Sequence, residues 1–261
     1  MDLGLRGKAA LVTGASEGIG EGIARALAGE GVEVAICART ESKLKDTAAR
    51  ITEATGVRVV PVAADLRTLE GCESFVATAA EVLGRVDILI NNAGASRFAP
   101  FVELSDEEFT DAVNGKFLGY VRCTRAAIPH LRKQGGGSIV NITGATLQAP
   151  QLHTAGGSCN VAIRMFSKIL SHELAPLGIR VNSLAPGLIQ TARADRVLEA
   201  RAKAQGSTPE AVLNKTVQGI PSRRIGTVED IARTVLFLVS DQSSYINGAA
   251  ISVDGGSSVV I

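Results

Sequence analysis

Residues 8–21, KAALVTGASEGIGE, contain a short apolar run, three glycines and the start of a helical pattern. Gly14, Gly18 and Gly20 have the spacing G-x-x-x-G-x-G. Glycines between a strand and a helix allow a tight turn, and they let backbone N–H groups approach a pyrophosphate at the helix N-terminus. A purely structural turn is the alternative. Because this turn lies in the first strand–turn–helix unit of the chain, the stretch predicts a dinucleotide-binding βαβ unit.

Working outward from this stretch, similar Val- and Ile-rich runs recur along the whole chain. The seven runs cover residues 8–13, 32–38, 57–63, 86–91, 137–143, 179–185 and 249–253. Several have consecutive apolar residues instead of an alternating pattern, as expected of strands covered on both faces of a parallel sheet. The segments between them are long enough for right-handed helical crossovers. We therefore predict an α/β fold: a Rossmann-type doubly wound parallel sheet of about seven strands with helices on both faces.

Helix starts are marked by side chains that cap backbone N–H groups. Ser105 with Glu108 forms a capping-box pattern, and Thr227 with Asp230 resembles one. No repeat or linker interrupts the pattern, so residues 1–261 are expected to form a single domain. The one compositional break is residues 191–224, which are charged and poor in large apolar residues. Such segments often cover a site at strand ends, so a substrate lid is expected there, with a solvated surface excursion as the alternative.

Composition argues against several classes of function. The net charge is +1, so neither nucleic acid nor a membrane surface is an expected partner. The first residues, MDLGLRGKAALVTG, lack the apolar core of a signal peptide, and no stretch approaches the length of a membrane span. The four cysteines have no C-x-x-C spacing, which is typical of reduced thiols in a cytoplasmic protein, and no metal site is predicted.

The glycine loop, residues 13–20, resembles the TGxxxGxG motif of the short-chain dehydrogenase/reductase family, and the resemblance covers nearly the whole chain. Further matches are Asp65-Leu66, NNAG at 91–94, PGLIQT at 186–191 and ISVDGG at 251–256. The resemblance implies a set of residues that contact a nicotinamide dinucleotide. They are Gly14, Ser16, Glu17, Gly18, Ile19, Gly20, Arg39, Asp65, Leu66, Asn91, Ala93, Gly94, Asn160, Pro186, Gly187, Ile189 and Thr191.

The choice between NADP(H) and NAD(H) is made at the end of the second strand. An acidic residue there binds the ribose hydroxyls of NAD, whereas an arginine suits the additional phosphate of NADP. This chain has Arg39 and no carboxylate in the sequence CART (37–40), and a guanidinium binds phosphate through two parallel hydrogen bonds. Glu17 is the opposing signal, since a carboxylate repels a phosphate. We favour NADP(H), with NAD(H) as the alternative.

The same resemblance locates the positions where the family carries its reactive side chains. The run 166–182 aligns without a gap, and counting back from it places the family's Tyr position at Gly156 and its Lys position at Asn160. The family's Ser falls on Gly144, or on Thr143 if the spacing is held strictly. The helix Asn of the family's proton relay is retained as Asn114. The usual catalytic motif is therefore expected to be degenerate.

Two other side chains are candidates for the missing proton chemistry. His153 lies three residues before the Tyr position, in a loop expected to border the pocket, and histidine donates a proton near neutral pH. A surface histidine is the ordinary alternative. Thr143 has a hydroxyl that can contact substrate but is no acid unaided. Lys116 lies two residues after Asn114, so an α-helix places it on a different part of the helix.

Three hypotheses on function remain open. The first is a divergent oxidoreductase that uses the dinucleotide on an unknown small carbonyl, enone or imine. The second is a catalytically silent dinucleotide-binding protein or sensor, and the third is a non-redox lyase-type reaction on the same scaffold. The helices expected at about 158–175 and 105–133 carry more apolar surface than one sheet face needs. A homodimer or homotetramer is therefore expected.

Overall fold

The computed structural model describes residues 2–94, 96–144 and 153–258. Seven parallel strands form one sheet in the order β3-β2-β1-β4-β5-β6-β7. The strands are β1 (Ala9–Thr13), β2 (Glu33–Ala38), β3 (Val59–Ala63), β4 (Ile88–Asn91), β5 (Gly137–Ile142), β6 (Ile179–Pro186) and β7 (Ala250–Val253). Each lies within one of the predicted apolar runs or extends it by one residue. The prediction of a doubly wound, seven-stranded parallel sheet is confirmed.

Helices connect the strands and cover both faces of the sheet. They are α1 (Gly18–Gly29), α2 (Glu41–Thr55), α3 (Leu69–Leu83), α4 (Asp106–Ala112), α5 (Gly119–Lys133), α6 (Thr154–Leu174), α7 (Ala192–Gln205), α8 (Pro209–Gly219) and α9 (Val228–Val239). A π-helical turn, Val113–Leu118, joins α4 to α5. Both predicted capping boxes are present, at the starts of α4 and α9.

Two apolar cores lie on opposite faces of the sheet, which is why its central strands are buried along nearly their whole length. One core contains side chains of α1, α2 and α9, with Leu27 and Val235 completely buried. The other contains side chains of α3 and α5, with Phe75 and Leu131 completely buried. Within the described ranges, no helix is long and apolar enough to cross a membrane.

The strand order places the site. The chain proceeds from β1 to β3 in one direction along the sheet and from β4 to β7 in the other, so β1 and β4 are neighbours at the centre. Ligands of such sheets bind outside the carboxyl ends of the strands at this switch point. The segment expected to be a lid, 191–224, contains the helices α7 and α8, which pack on each other through Leu198, Ala202 and Val212. Whether it closes over substrate stays a prediction.

Candidate active site

The glycine loop is bound to the segment that follows β4. Thr13 Oγ1 accepts hydrogen bonds from the backbone N–H groups of Asn92 (2.9 Å) and Ala93 (3.0 Å). The Asn92 amide donates in return to the carbonyl oxygens of Thr13 (3.1 Å) and Gly14 (3.0 Å). Gly14 has a φ of +64°, and a Cβ there would lie 2.7 Å from Ala93 Cα. Only glycine allows this approach at position 14, so the two segments form one rigid floor.

The N-terminus of α1 is accessible to an anion. Glu17 is its N-cap residue with extended backbone, and its side chain makes no capping hydrogen bond. Gly18 has a φ of +64°, and a Cβ at Gly20 would overlap the carbonyl oxygen of Gly14. The first N–H groups of a helix have no partner within the helix. The loop therefore fits a dinucleotide pyrophosphate at this position, as the glycine spacing predicts. Ser16 and Ile19, also predicted to contact the cofactor, lie in the same turn.

Several cations lie around the end of β2 and the start of α1, and two of them are close to Glu17. Arg39 is exposed immediately after β2. Glu17 lies 4.0 Å from Lys43 Nζ in α2 and 3.9 Å from an Arg196 Nη of α7. These are long, exposed contacts that contribute little to stability. They do reduce the negative potential of Glu17 where an additional phosphate would bind, and this weakens the main objection to NADP(H).

The carboxylate of Asp65 is bound by Arg67, a residue that was not among those predicted to form the site. This carboxylate accepts from Arg67 Nε (3.0 Å) and Nη2 (2.7 Å), while Arg67 Nη1 donates to Asp111 (2.8 Å). Hydrogen bonding to Arg67 is the main reason why the pKa of Asp65 is lowered. Leu66, next in the chain, is buried. Asp65 is thus an oriented carboxylate at the end of β3, on the adenine side of the predicted site.

Asn91 lies inside the sheet, in contrast with Ala93 and Gly94, which follow β4 at the edge of the cleft. Its amide nitrogen donates to Thr124 Oγ1 (3.0 Å) and Asn141 Oδ1 (2.8 Å), and Asn141 donates to Ser167 Oγ (2.9 Å). All four side chains are buried. These hydrogen bonds connect β4 to β5 and α6. The side chain of Asn91 therefore stabilises the strands on which the cleft is built.

The segment 186–191 forms the opposite wall of the cleft. Pro186 is the last residue of β6, and the N–H of Gly187 donates to the carbonyl of Val253 (3.0 Å). Ile189 is buried and pairs with Gly226 in an isolated parallel bridge. Thr191 is the N-cap of α7, and its Oγ1 accepts from the N–H of Ala194 (3.3 Å). This wall is therefore continuous with the first turn of α7.

The space beside Gly156 is filled by another side chain. A Cβ at Gly156 would overlap both His153 Nε2 and Ser96 Oγ, which lie 2.9 Å apart and share a hydrogen bond. The His153 ring also stacks on Phe98, with centroids 4.2 Å apart and planes 6° from parallel. His153 is the N-cap residue of α6 and is partly buried, not a freely exposed loop residue. It therefore lies where the resemblance places a tyrosine side chain.

The protonation of His153 differs from the sequence-based expectation. Burial, followed by the positive charges of Lys116, Arg193 and Arg201, lowers the pKa of His153 to about 4. A histidine that is neutral at pH 7 is a weak Brønsted acid, but its N–H still donates a hydrogen bond. His153 is thus neutral at pH 7, and it can donate a hydrogen bond to an oxygen atom.

The other predicted catalytic positions border the same space. Thr143 is buried, and its hydroxyl donates to the carbonyl of Leu184 (3.1 Å), so its proton is already used within the sheet. Gly144 follows it and is partly buried. Asn160 is buried in α6, one residue after the buried Cys159.

Lys116 occupies the site through a local departure from α-helical geometry. Asn114 and Lys116 both lie in the π-helical turn Val113–Leu118 and are partly buried, and such turns are frequent at functional sites. The aliphatic part of Lys116 lies over Gly94, where a Cβ would be 2.8 Å from Lys116 Cγ, and Nζ is 3.5 Å from the carbonyl oxygen of Thr143. Burial, followed by the charge of Arg193, lowers the pKa of Lys116 to about 7.

Arg193 is a second cation at this position, and it lies in the charged segment 191–224 that is expected to be a substrate lid. Its Nη1 donates to the carbonyl of Gly94 (2.8 Å), and burial lowers its pKa. No pattern within α7 distinguishes Arg193 from Arg196, which is exposed. Its position two residues after Thr191, in the first helical turn, is the one signal that would have placed it at the cleft.

Comparison with known proteins extends these local matches to the whole chain. A family model described as enoyl-(acyl carrier protein) reductase matches residues 14–258. The short-chain reductase protein NovJ of Streptomyces niveus is 35% identical over 247 residues, covering 95% of this chain and 92% of NovJ. The structure of L-sorbose reductase from Gluconobacter frateurii, complexed with NADPH and L-sorbose, matches with a TM-score of 0.94 and 33% identity over 100% of both chains. An NAD⁺-bound xylitol dehydrogenase matches with a TM-score of 0.92 and 30% identity, over 97% of this chain and 99% of its own.

Proposed function

Because this chain belongs to the short-chain dehydrogenase/reductase family of oxidoreductases, we propose that it transfers hydride between NADP(H) and a small carbonyl, enone or imine substrate. The main support for the dinucleotide site is the rigid floor formed by the glycine loop and residues 92–93, together with the uncapped N-terminus of α1. Arg39 and Lys43 at the end of β2 support NADP(H) over NAD(H). The similar L-sorbose reductase is an NADPH complex, although the similar xylitol dehydrogenase binds NAD⁺.

The bound dinucleotide would supply the hydride, and the residues of this chain would stabilise the charge that the transfer creates. When a carbonyl carbon accepts a hydride, its oxygen becomes an alkoxide that needs a hydrogen-bond donor and then a proton. His153 and Ser96 share one hydrogen bond, and either arrangement of the shared hydrogen leaves one N–H or O–H for the substrate. Phe98 holds the ring in place, so the donor is preorganised, which is what makes such stabilisation effective. Once the donor of this pair has given its proton to the alkoxide, a water molecule returns a proton to the pair.

The proposed assembly is a homodimer or homotetramer that uses α6. Val161, Met165 and Ile169 are spaced by four residues, so they share one face of the helix, and 47%, 61% and 57% of their surfaces are exposed. A contiguous apolar stripe of this kind is typical of an interface. A second copy of the chain is the partner proposed for it.

The proposal is tested by cofactor binding and by turnover of a panel of ketones, enones and imines. We expect the purified chain to bind NADPH and to oxidise it with at least one class in the panel. His153→Gln should lower kcat/KM by about 10²-fold or more, because general acid–base and hydrogen-bonding groups contribute on that scale. The measurement is the loss of reduced-nicotinamide absorbance.

The matched control is His130→Gln in the last turn of α5, far from the carboxyl ends of the strands, which should leave kcat/KM unchanged. Tight NADPH binding without turnover of any class would contradict the oxidoreductase proposal while leaving the cofactor site intact. Absence of binding to both NADPH and NADH would contradict the cofactor site itself.

A further inference from the structure

Two cations from different parts of the chain converge on Gly94. Lys116, in the π-helical turn, lays its aliphatic chain against this glycine, and Arg193, in the first turn of α7, donates to its carbonyl at 2.8 Å. Both side chains are partly buried. Because Gly94 has a φ of +144° and a Cβ there would meet Lys116, the absence of a side chain at this position allows the two cations to approach.

Neither cation has an acidic partner in the part of the chain that the structure describes. The groups that perturb the pKa of Lys116 are Arg193 and Cys159, and those that perturb the pKa of Arg193 are Tyr120 and Arg196. Residue 95 and residues 145–152 (ATLQAPQL) lie outside the described ranges, and their sequence contains no acidic residue. Lys116 and Arg193 therefore carry positive charge without a paired carboxylate among the described residues.

Partly buried like charges are costly when nothing compensates them. A protein gains nothing in stability from holding Lys116 and Arg193 at one glycine, since each raises the cost of charging the other. An anion placed between them reverses this balance by supplying hydrogen-bond acceptors and opposite charge. One N–H of the Arg193 guanidinium donates to the carbonyl of Gly94, and its remaining N–H groups can donate to a planar carboxylate.

We propose that Lys116 and Arg193 bind a carboxylate on the substrate, so that the enzyme acts on a carbonyl compound that is also an anion. This inference rests on the proposed function, because it assigns the substrate class of the same site. The glycine loop is bound to Asn92 and Ala93, whereas the two cations contact the next residue, Gly94. The loop and the N-terminus of α1 already provide for the cofactor's pyrophosphate, which leaves this charge for the substrate.

The proposal carries a pH dependence with a defined sign. Lys116 faces Arg193 from α7, and Cys159 and His153 from α6, and its pKa is lowered to about 7. Below pH 7 the ammonium is present and a carboxylate binds fully. Above pH 7 the free enzyme loses this charge, and the affinity for a carboxylate falls as the pH rises.

The experiment compares acetoacetate with its uncharged methyl ester, methyl acetoacetate. Each is titrated by calorimetry into the full chain, with and without saturating NADP⁺, which cannot reduce the probes, at about pH 6 and about pH 8.5. The variants are Lys116→Met, Lys116→Arg and Arg193→Met. Controls are Lys133→Met at the end of α5 and Lys203→Met on α7, which remove exposed cations from the same region of sequence.

We expect acetoacetate to bind at least about tenfold more tightly than its ester at the lower pH, with the difference shrinking at the higher pH. Lys116→Met and Arg193→Met should each remove about tenfold of that preference, while Lys116→Arg and both controls keep it at the lower pH. Equal binding of the two probes, or a preference that survives in both Met variants, would overturn the inference. So would a loss confined to NADPH affinity, because it would assign the anion to the cofactor's phosphates.

These results separate the inference from the proposed function. A chain that binds NADPH but shows no preference for acetoacetate keeps the oxidoreductase proposal and loses only its substrate class. A chain that binds neither NADPH nor NADH loses the proposed function, and the titration without cofactor then decides whether the cation pair binds a carboxylate. Far-UV circular dichroism of each variant confirms that the fold is retained.

Discussion

Arg39 is the single residue on which the proposed cofactor preference depends most. It is exposed directly after β2, four residues before Lys43 in the first turn of α2, and its positive charge contributes to the lowered pKa of Asp65. Arginine binds a phosphate bidentately, whereas the ribose hydroxyl of NAD(H) offers it no charge. The proposed preference therefore rests on one contact, between the Arg39 guanidinium and the additional phosphate of NADP(H).

Replacing Arg39 should change this discrimination and little else. Arg39→Ala is expected to weaken NADPH binding by about tenfold or more and NADH binding by less than about threefold, because only the additional phosphate loses a charged partner. Fluorescence titration with both cofactors measures the ratio. Arg58→Ala, an exposed arginine before β3, is the control and should change neither affinity. Equal losses for NADPH and NADH would show that Arg39 contacts a part common to both.

Among the elements, α9 depends on its N-terminal cap more than α2 does. Thr227 Oγ1 accepts from the N–H of Asp230 (3.2 Å), and Asp230 accepts in return from the N–H of Thr227 (2.9 Å). Asp230 is also bound by Arg224, and hydrogen bonding to Arg224 is the main reason why the pKa of Asp230 is lowered to about 2. Thr40, the N-cap residue of α2, makes no side-chain capping bond.

This difference predicts unequal effects of the same substitution at two helix starts. Thr227→Ala should lower the free energy of unfolding by about 1 kcal/mol, the usual cost of losing an N-cap side chain. Thr40→Ala should lower it by no more than a few tenths of a kcal/mol, since no capping bond is lost. Equilibrium urea unfolding compares them. A loss at Thr40 as large as that at Thr227 would contradict the assignment of the caps.

The strands and helix starts were predictable because each depends on local chemistry. The runs at 8–13 and 86–91 have apolar centres, residues 9–12 and 88–90, because β1 and β4 are covered on both faces, a property that the sequence displays directly. The capping box at Ser105 was predictable for the same reason, since both partners lie within four residues. A strand that is covered on both faces, or a helix that is capped by its own first residues, can therefore be recognised from its local sequence.

The active site was only partly predictable because its unusual members meet through long-range packing. Lys116 enters the cleft because the π-helical turn alters the helical spacing, and nothing in its neighbours indicates such a turn. Ser96 and His153 are separated by 57 residues and form a pair only once β4 and α6 are placed. The candidate role of His153 was proposed from its distance to Gly156, but its contact partners and its lowered pKa required the structure.

On the scale of the whole molecule, the exposed stripe of α6 predicts how copies of the chain associate. Met165 is the central residue of the stripe, and 61% of its surface is exposed. Met165→Glu should convert the assembly to a smaller species, because a charge buried in an apolar interface is costly. Sedimentation velocity measures the mass. Leu69→Glu, on the exposed start of α3, is the control and should leave the mass unchanged. A wild-type chain that sediments as a monomer would contradict the proposed assembly.

The overlap of a Cβ at Gly156 with His153 and Ser96 bears on how this sequence can change over evolutionary time. A tyrosine introduced at position 156 would meet these two side chains, so Gly156→Tyr alone requires His153 and Ser96 to move. Gly156→Tyr combined with His153→Ala removes the larger of the two obstacles. Positions 153 and 156 are therefore expected to change together, and a substitution at either one depends on the residue present at the other.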